Sequence, residues 1–345
     1  MNPSGMRKIA AWAACMIPAA VAPCYAAAPA QIQITAADLA AGQFPTIPAF
    51  TDRMGVLFRQ GAARPASAAI PTIPAVTFGY YPADVSNPRH NPTLQSVTFH
   101  DIFINPLNPA SGVFLQGPDG PAIEDVDAFL NNLDNSDFIH LTDQYTGNPN
   151  PSRSVGQPGV VNYEVTRSTL YDADVAILVH AAARTFGAGY GAMYHILFSQ
   201  GTDVCTANGP TGVACYSPDN PSTFFFCGYH GYFNFPDLGH VIFSVEPYAN
   251  VRGCSAPAGT TPNTPAVDSM ANVLSHETFE AISDPDLNAW GNRLGILNGA
   301  EIGDECVFVF AIPPVSLNGK PYQIQSEYSN FYHACSWTSS GAPAP

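Results

Sequence analysis

The chain of 345 residues carries very little positive charge. Its 12 Lys and Arg stand against 27 Asp and Glu, which gives a formal net charge of −15, and Lys320 is the only lysine beyond the N-terminal segment. Phosphate backbones and anionic membrane surfaces attract proteins largely through clustered positive charge. The composition therefore argues against nucleic acid and anionic membranes as partners.

Signatures of several reaction classes are also missing. The chain contains no G-x-S-x-G motif, no P-loop and no dinucleotide-binding fingerprint, so serine-hydrolase and nucleotide chemistry have no support. No C-x-x-C pair occurs, which weakens the case for a cysteine metal site. Beyond the N-terminus, no apolar run approaches the roughly 20 residues of a membrane span.

The first 26 residues have the features of a secretory signal peptide. Arg7 and Lys8 precede an apolar run at 9–22, and small-x-small patterns at 24–26 and 28–30 suit cleavage. We expect removal of residues 1–26, with the second pattern extending the cleaved segment to residue 30. The mature protein is then secreted or periplasmic.

Removal of the signal leaves six cysteines. An exported chain with six cysteines is expected to form up to three disulfides, and sequence alone allows fifteen pairings. Consecutive pairing closes short local loops, and we therefore predict Cys205–Cys215, Cys227–Cys254 and Cys306–Cys335.

The chain divides into an N-terminal segment, one domain and a short tail. Residues 27–90 are rich in Ala and Pro and form a propeptide, a linker or an arm packed on the domain. Residues 91–338 are ordinary globular sequence, and 339–345 form the tail. The order of elements in the domain is typical of an α+β fold. The predicted strands are 95–104, 193–199, 224–233 and 240–245, and the predicted helices are 122–133, 170–186 and 267–283.

The most informative motif is H-E-x-x-E, formed by His276, Glu277 and Glu280. On a helix, His276 and Glu280 share one face with roughly 5–6 Å between their Cβ atoms, which suits two ligands of one metal ion. Glu277 is rotated by about 100°, so it can reach a water beside the metal. The motif is the H-E-x-x-H helix of metallopeptidases with a carboxylate in place of the second histidine.

A metal needs further ligands, and the segment GAEIGDEC at 299–306 supplies carboxylates. Glu301 lies 21 residues beyond Glu280, close to the spacing that the gluzincin class of metallopeptidases uses. We favour Glu301, with Asp304 as a ligand or as the partner of His276. The alternative third ligand is Asp286, at the metzincin spacing, although that class needs a glycine where Ser283 stands. One imidazole with carboxylates suits Zn²⁺, and Ca²⁺ or Mn²⁺ stays open.

An H-E-x-x-E string also arises by chance on helices whose polar residues face solvent. The start of this helix, AVDSMANVL at 266–274, is uncharged apart from Asp268. We expect a helix with so few charged residues to be buried, and buried carboxylates need a partner such as a metal. Tyr229, His230 and Tyr328 are weaker candidates, as substrate contacts. His180 is interpreted as a core histidine.

Five segments of the chain carry a family resemblance. They are FCGYHG (226–231), SVEPYANVRGC (244–254), SHETFEAISDPDLNAW (275–290), AEIGDEC (300–306) and YSNFYHAC (328–335). Together they resemble a group of exported bacterial and fungal zincin-like proteins, which is distantly similar to the phosphate-induced (EXORDIUM-like) proteins of plant cell walls. The resemblance covers about residues 220–335 and implies a zincin-like extracellular domain with metal-site residues His276, Glu277, Glu280, Glu301 and Asp304. The plant relatives tend to lack the histidine and are treated as growth-related wall proteins.

These observations predict an exported metal-dependent hydrolase. The expected activity is that of a zinc peptidase, with Glu277 as general base and an extracellular peptide or protein as substrate. The alternative is a non-catalytic extracellular protein that holds a structural metal and binds a cell-wall polymer.

Overall fold

The computed structural model describes residues 28–43, 56–58, 84–105, 123–148, 151–164, 167, 169–206, 214–293 and 299–340. The predicted signal peptide at 1–26 lies outside these residues, as does the predicted tail from residue 341 onward. Of the Ala- and Pro-rich segment, the described parts are 28–43, 56–58 and 84–90.

A mixed β-sheet forms the centre of the described structure. Its order is β1-β5-β3-β7-β11-β10-β2, and β4 pairs with the first half of β3. Strands β3, β7 and β11 run parallel to one another, whereas β10 is antiparallel to β11 and to β2. The strands are β1 Ala30–Ile32, β2 Val56–Phe58, β3 Ser96–Ile104, β4 Ser152–Val155, β5 Gly159–Val161, β7 Ala192–Phe198, β10 Phe226–Phe235 and β11 Gly239–Glu246.

Smaller sheets and helices complete the described fold and confirm the α+β prediction. One small sheet contains β6 Thr169–Tyr171, β8 Asp203–Thr206 and β9 Ala214–Tyr216. Two strand pairs are β12 Val315–Leu317 with β13 Lys320–Tyr322, and β14 Glu327–Ser329 with β15 Ala334–Ser336. The helices are α1 Ala36–Ala41, α2 Ile123–Asp134, α3 Asp143–Thr146, α4 Asp172–Phe186 and α5 Pro265–Ser283, with 3₁₀ turns at Ile139–Thr142 and Asp304–Cys306.

Helices cover both faces of the central sheet. Helix α4 packs against β7 and β11, and α5 packs against β10 and β11. His100 of β3 stacks on Phe186 of α4 with 4.3 Å between ring centroids. A Cβ at Gly228 of β10 would lie 2.6 Å from Val273 of α5. Because neighbouring strand residues point to opposite faces, the strand register places these two contacts, and hence α4 and α5, on opposite sides.

Helix α5 is buried along almost its whole length. Thr264 caps its start by accepting a hydrogen bond from the backbone N–H of Val267 at 3.2 Å, which satisfies an otherwise free donor. The helix ends at Ser283, because Asp284 precedes a proline and is therefore disfavoured in helical backbone. All residues from 266 to 283 are buried, so polar side chains here must find partners inside the protein.

The three predicted disulfides are confirmed. The second ties β10 to the segment after β11, and the third ties the 3₁₀ turn at 304–306 to β15. Three disulfides indicate an oxidising environment outside the cytosol. Among the described residues, no helix is long and apolar enough to cross a membrane. The bonds are Cys205–Cys215, Cys227–Cys254 and Cys306–Cys335.

Parts of the N-terminal segment are built into the domain. Strand β1 pairs with β5, and residues 84–94 cross the segments that follow α5 and β14. Ser86 and Gly291 exchange backbone hydrogen bonds of 3.0 and 3.3 Å. The Asn330 side chain both donates to and accepts from the backbone of Val85, at 2.8 and 3.0 Å. These described parts of the N-terminal segment therefore hydrogen-bond to the domain.

Helix α1 is held to α4 by the buried carboxylate of Asp38. This carboxylate lies 2.7 Å from His180 Nδ1 and 3.0 Å from Arg184 Nη2. Burial raises the pKa of Asp38, but hydrogen bonds from Arg184, Thr35 and His180 outweigh burial and lower the pKa from 3.8 to about 2. A carboxyl group with a lowered pKa stabilises the fold above its unfolded pKa, and this stability is lost as the pH falls through the folded pKa.

We therefore expect Asp38→Asn to lower the free energy of unfolding by about 2 kcal/mol at pH 6. The difference from wild type should shrink as the pH falls from 4 to 2, as measured by urea unfolding. Asp237→Asn is the control, because Asp237 contacts the other nitrogen of His180 at 3.1 Å but is 57% exposed. A difference that does not change with pH would show that the Asp38 charge is not the source of the stability.

Candidate metal centre

Helix α5 brings three predicted residues together on one side. His276 Nε2 and Glu280 Oε1 lie 3.0 Å apart, as the spacing of four residues predicts. Yet His276 Nε2 has no hydrogen-bond partner of acceptable geometry. The two atoms are close but not aligned for a hydrogen bond. This arrangement is expected of two ligands that both face one metal ion. Glu277, one residue on, faces β10.

Strand β10 contributes His230 to the same cluster. Its Nδ1 lies 3.3 Å from Glu277 Oε2 and 3.5 Å from Glu280 Oε2, and its Nε2 lies 3.7 Å from Glu301 Oε1. The sequence suggested His230 only as a substrate contact. Gly228 lies two residues before His230, on the same face of β10. Its lack of a side chain allows the strand to approach α5 closely, because a Cβ there would lie 3.0 Å from Glu277 Oε1.

The segment 299–306 covers the other side of the cluster. Glu301 enters it from this segment, and the backbone N–H of Asp304 donates to Glu280 Oε1 at 3.1 Å. The Asp304 carboxylate accepts from the backbone N–H of Glu301 at 3.3 Å. Asp304 is thus placed where it orients Glu280 and Glu301. A Cβ at Gly303 would lie 2.7 Å from His276 Nδ1 and 2.9 Å from Glu280 Oε1, so this position leaves no room for a side chain.

The cluster has the donor set and the unpaired atoms that a metal ion requires. Two groups have ligand atoms within 4.8 Å of one another, and Glu280 belongs to both. Several of their buried atoms have no hydrogen-bond partner among the described residues, which is costly unless a ligand satisfies them. Imidazole with carboxylates is a donor set for Zn²⁺ or Mn²⁺, so the residues fit a metal. The groups are His230, Glu280, Glu301 and His276, Glu277, Glu280, and the unpaired atoms are His276 Nε2, Glu277 Oε1, Glu280 Oε2 and both carboxylate oxygens of Glu301.

Gln325 orients the ring of His276. Its side-chain nitrogen donates to the Gly303 carbonyl at 3.0 Å, and its oxygen accepts from the backbone N–H of Phe308 at 3.3 Å. The same nitrogen lies 2.9 Å from His276 Nδ1, so in neutral His276 Nδ1 accepts and the ring proton resides on Nε2, which is close to Glu280 but forms no well-aligned hydrogen bond with it. A metal at Nε2 would move that proton to Nδ1 and require the Gln325 amide to turn its oxygen towards it. Sequence reasoning missed Gln325, because no spacing rule links it to α5.

The carboxylates of the cluster strongly favour a positive charge on His230. Burial alone lowers the pKa of His230, but the close carboxylates of Glu277 and Glu280 outweigh burial and raise the pKa from 6.5 to about 10. Burial raises the pKa of Glu277 from 4.5 to about 7, although the hydrogen bond from His230 opposes it. Burial and the nearby charge of Glu280 raise the pKa of Glu301 well above its ordinary value. Without a metal, His230 is therefore an imidazolium at neutral pH.

Metal affinity should consequently rise with pH. A metal at His230 must displace its proton, so we expect the association constant to increase at least about tenfold per pH unit between pH 6 and 9, with a steeper slope wherever Glu301 also releases a proton. Competition with a metal-sensitive fluorescent chelator at several pH values measures this slope. An affinity that does not change with pH would show that His230 keeps its proton and is not a ligand.

The other predicted residues lie apart from the cluster. Asp286 Oδ2 accepts from the Tyr190 hydroxyl at 2.5 Å, and Asp286 Oδ1 lies 2.8 Å from His240 Nε2. Tyr229 points away from His230, because neighbouring strand residues face opposite sides. The Tyr328 hydroxyl donates to Asp84 at 3.2 Å. Neither metal-ligand group includes Asp286.

The cluster is closed to solvent. A surface cleft of about 440 Å³ is lined by Tyr145, Trp290 and neighbouring polar residues, and no cluster residue lines it. Glu327, on β14, adds another fully buried carboxylate, whose pKa burial raises well above the ordinary value. Access for a large molecule therefore requires the covering segments to move. The exposed fractions are 0% for His276, Glu277 and Glu280, 1% for Glu301 and 2% for His230.

Comparisons of the chain with protein-family models, with curated proteins and with solved structures found no match. The zincin-like resemblance therefore rests on the sequence motifs alone and stays a prediction. The fold and the geometry define a class: a disulfide-bonded α+β protein with a buried histidine–carboxylate cluster that could hold a metal ion.

Proposed function

We propose that this protein is an exported metal-dependent hydrolase, with peptides or proteins as substrates. The observation that carries the proposal is the set of buried, unpaired ligand atoms that α5, β10 and the segment 299–306 direct at one another. The predicted signal peptide and the three disulfides support secretion or export to the periplasm. Strongly perturbed carboxylates and histidines that cluster in this way are more typical of functional sites than of ordinary cores.

The proposed ligands are His276, Glu280, His230 and Glu301, and the proposed ion is Zn²⁺. When bound, the ion supplies Lewis-acid chemistry, lowering the pKa of a water and polarising a carbonyl group. Glu280 contributes through a carboxylate that the backbone of Asp304 already orients at 3.1 Å. Glu301 contributes a carboxylate from the segment 299–306, which the Cys306–Cys335 disulfide anchors at its end.

Glu277 is the proposed general base. Its Oε2 is held by His230 at 3.3 Å, while its Oε1 has no hydrogen-bond partner. A free carboxylate oxygen beside the ligand atoms can accept a proton from the attacking water and later return it to the leaving amine. Its pKa of about 7 is close to the value at which a base both accepts and releases a proton readily.

A second candidate function is supported by the burial of the cluster. A metal enclosed by protein on every side is typical of structural sites, whereas catalytic sites keep a position open to water and substrate. In this alternative the ion stabilises a non-catalytic extracellular protein, which binds a cell-wall polymer elsewhere on its surface.

The two functions are separated by assaying the purified mature protein on a fluorescein-labelled protein substrate. The hydrolase should release labelled peptides, and a chelator should abolish the release until Zn²⁺ is restored. A protein that retains its metal yet cleaves neither labelled casein nor a random peptide library would support the structural alternative. A protein that binds no metal would contradict both.

A further inference from the structure

The surface cleft of about 440 Å³ lies where three parts of the chain meet: residues 87–95, helix α3 with the glycine after it, and Trp290. Its volume lies in the range of about 300–1,000 Å³ that is usual for small-molecule sites. The described residues that line the cleft belong to loops and to α3, and none of them lies in a strand. The cleft shares no residue with the two metal-ligand groups, so it is a separate candidate site.

The lining of the cleft is polar but carries no acidic side chain, lysine or arginine among the described residues. Its polar groups are amides, hydroxyls, an imidazole and an indole. A highly charged ligand would lose hydration in such a site without gaining an ion pair in return. The lining therefore favours an uncharged polar ligand.

Trp290 supplies an aromatic ring that is held in one orientation. The residue is half-buried, and its Nε1–H donates to the Tyr145 carbonyl at 2.7 Å. The two rings meet edge to face, with 5.2 Å between their centroids. Tyr145 is itself fixed, because its hydroxyl donates to the Tyr328 carbonyl at 2.7 Å. A ring that is already fixed loses little conformational freedom when a ligand packs on it.

Hydrogen bonds also fix the loop that contributes most of the polar lining. The Asn87 side chain donates to the carbonyl of Asn91 and accepts from its backbone N–H, both at 2.9 Å. Asn91 Nδ2 donates to the Asn288 carbonyl at 2.5 Å, which ties this loop to the segment that carries Trp290. The shape of the cleft is therefore set before a ligand binds.

Some polar atoms of the lining residues remain available to a ligand. Gln95 uses its side-chain nitrogen to donate to Thr93 Oγ1 at 2.8 Å and to the Thr146 carbonyl at 2.7 Å. Gln95 Oε1 and Asn91 Oδ1 accept no hydrogen bond among the described residues. Because Thr93 Oγ1 accepts from Gln95, its own hydrogen can be donated elsewhere. The lining thus offers both acceptors and a donor.

We propose that this cleft binds a neutral saccharide. A sugar ring has an apolar C–H face that can pack on the indole of Trp290, and its hydroxyl groups both donate and accept hydrogen bonds, as the amides and hydroxyls of the lining do. An extended peptide is commonly bound along a free sheet edge, which the described lining does not include. The proposal depends on neither candidate function, because the cleft and the metal centre share no residue.

The test is affinity electrophoresis of the mature protein in native gels that contain one polymer each. The neutral probes are a mixed-linkage β-glucan, a mannan and a galactan, and the comparison probes are anionic polygalacturonate and gelatin. At least one neutral polysaccharide should retard the protein, and Trp290→Ala should weaken this binding by about 10–100-fold. Tyr171→Ala is the control, because Tyr171 is 46% exposed and lies outside the cleft, and it should bind as wild type does.

Three results would overturn the proposal: no retardation by any neutral polysaccharide, retardation that Trp290→Ala leaves unchanged, or Trp290-dependent retardation by polygalacturonate or gelatin instead. Circular dichroism establishes that each variant is folded. If Trp290→Ala does not fold, Gln95→Ala takes its place, because the Gln95 side chain is exposed. It should weaken binding by about three- to tenfold, as expected for the loss of hydrogen bonds, and an unchanged affinity would then overturn the proposal.

Discussion

Replacing Glu277 with glutamine should lower the rate of peptide hydrolysis by about 10²–10⁴-fold. Glutamine has nearly the same shape, but it cannot accept a proton from water. Glu277 Oε1 has no hydrogen-bond partner, and four other side chains are the proposed ligands, so the metal should stay bound. Steady-state kinetics on a fluorogenic peptide, with metal analysis of the same sample, measure both effects.

The matched control for this prediction is Glu164→Gln, which neutralises an exposed carboxylate outside the cluster. It should leave the rate within a factor of about two, because surface substitutions away from special features have small effects. If Glu277→Gln kept wild-type activity, Glu277 would not be the base. If it lost both metal and activity, Glu277 would be a ligand instead.

Replacing Gly303 with alanine should weaken metal binding by about 10–100-fold, the cost typical of disturbing groups that support metal ligands. The new Cβ would lie 2.7 Å from His276 Nδ1 and 2.9 Å from Glu280 Oε1. Contacts that short must push the imidazole, the carboxylate or the covering segment out of place. Gly303 has a φ of −73°, so alanine is not excluded there by backbone conformation. Isothermal titration of the metal-free protein with Zn²⁺ measures the change.

Gly231→Ala is the control for Gly303→Ala. Gly231 is next to His230 on β10, yet its Cβ would meet only the Phe243 ring, at 3.9 Å. That is an ordinary contact, so Zn²⁺ affinity should not change. Equal losses in the two variants would mean that alanine acts through general destabilisation, and no loss in Gly303→Ala would contradict the displacement of His276 and Glu280 on which this prediction rests.

The local part of the structure was predictable from sequence. The predicted helix at 267–283 agrees with Pro265–Ser283 because a capping residue and a proline mark its ends. The strand predicted at 224–233 overlaps β10, Phe226–Phe235, because its aromatic residues favour a strand. The consecutive disulfides are confirmed, since neighbouring cysteines close short loops that the hairpins and turns of this fold bring together.

The non-local part of the candidate site was not predictable in the same way. His230 lies 46 residues before His276, and only the pairing of β10 with β11 under α5 brings its imidazole to Glu280. Gln325 faces His276 because the chain returns past Gly303. No hydrophobic periodicity in the sequence predicts this return. Asp101 and His195 were also not predictable as a pair. In the sequence they are isolated polar residues in apolar strands, and only the pairing of β3 with β7 places them side by side.

Asp286 shows how spacing alone can mislead. It lies ten residues after His276, at a distance along the chain that suits a third ligand. However, α5 ends at Ser283, and the turn that follows carries Asp286 away from the cluster, to a position beside Tyr190 and His240. The ligand candidate that the structure does bring in, Glu301, comes from a segment that folds back over the helix.

Metal analysis of the mature protein tests the central claim most directly. The protein is purified without chelators, dialysed against metal-free buffer and analysed by inductively coupled plasma mass spectrometry, beside the His276→Ala, Glu280→Gln variant. The account predicts that wild type retains one more transition-metal ion per chain than this variant, with Zn²⁺ as the expected element. A wild-type protein that retains no metal and binds no added Zn²⁺ would contradict it.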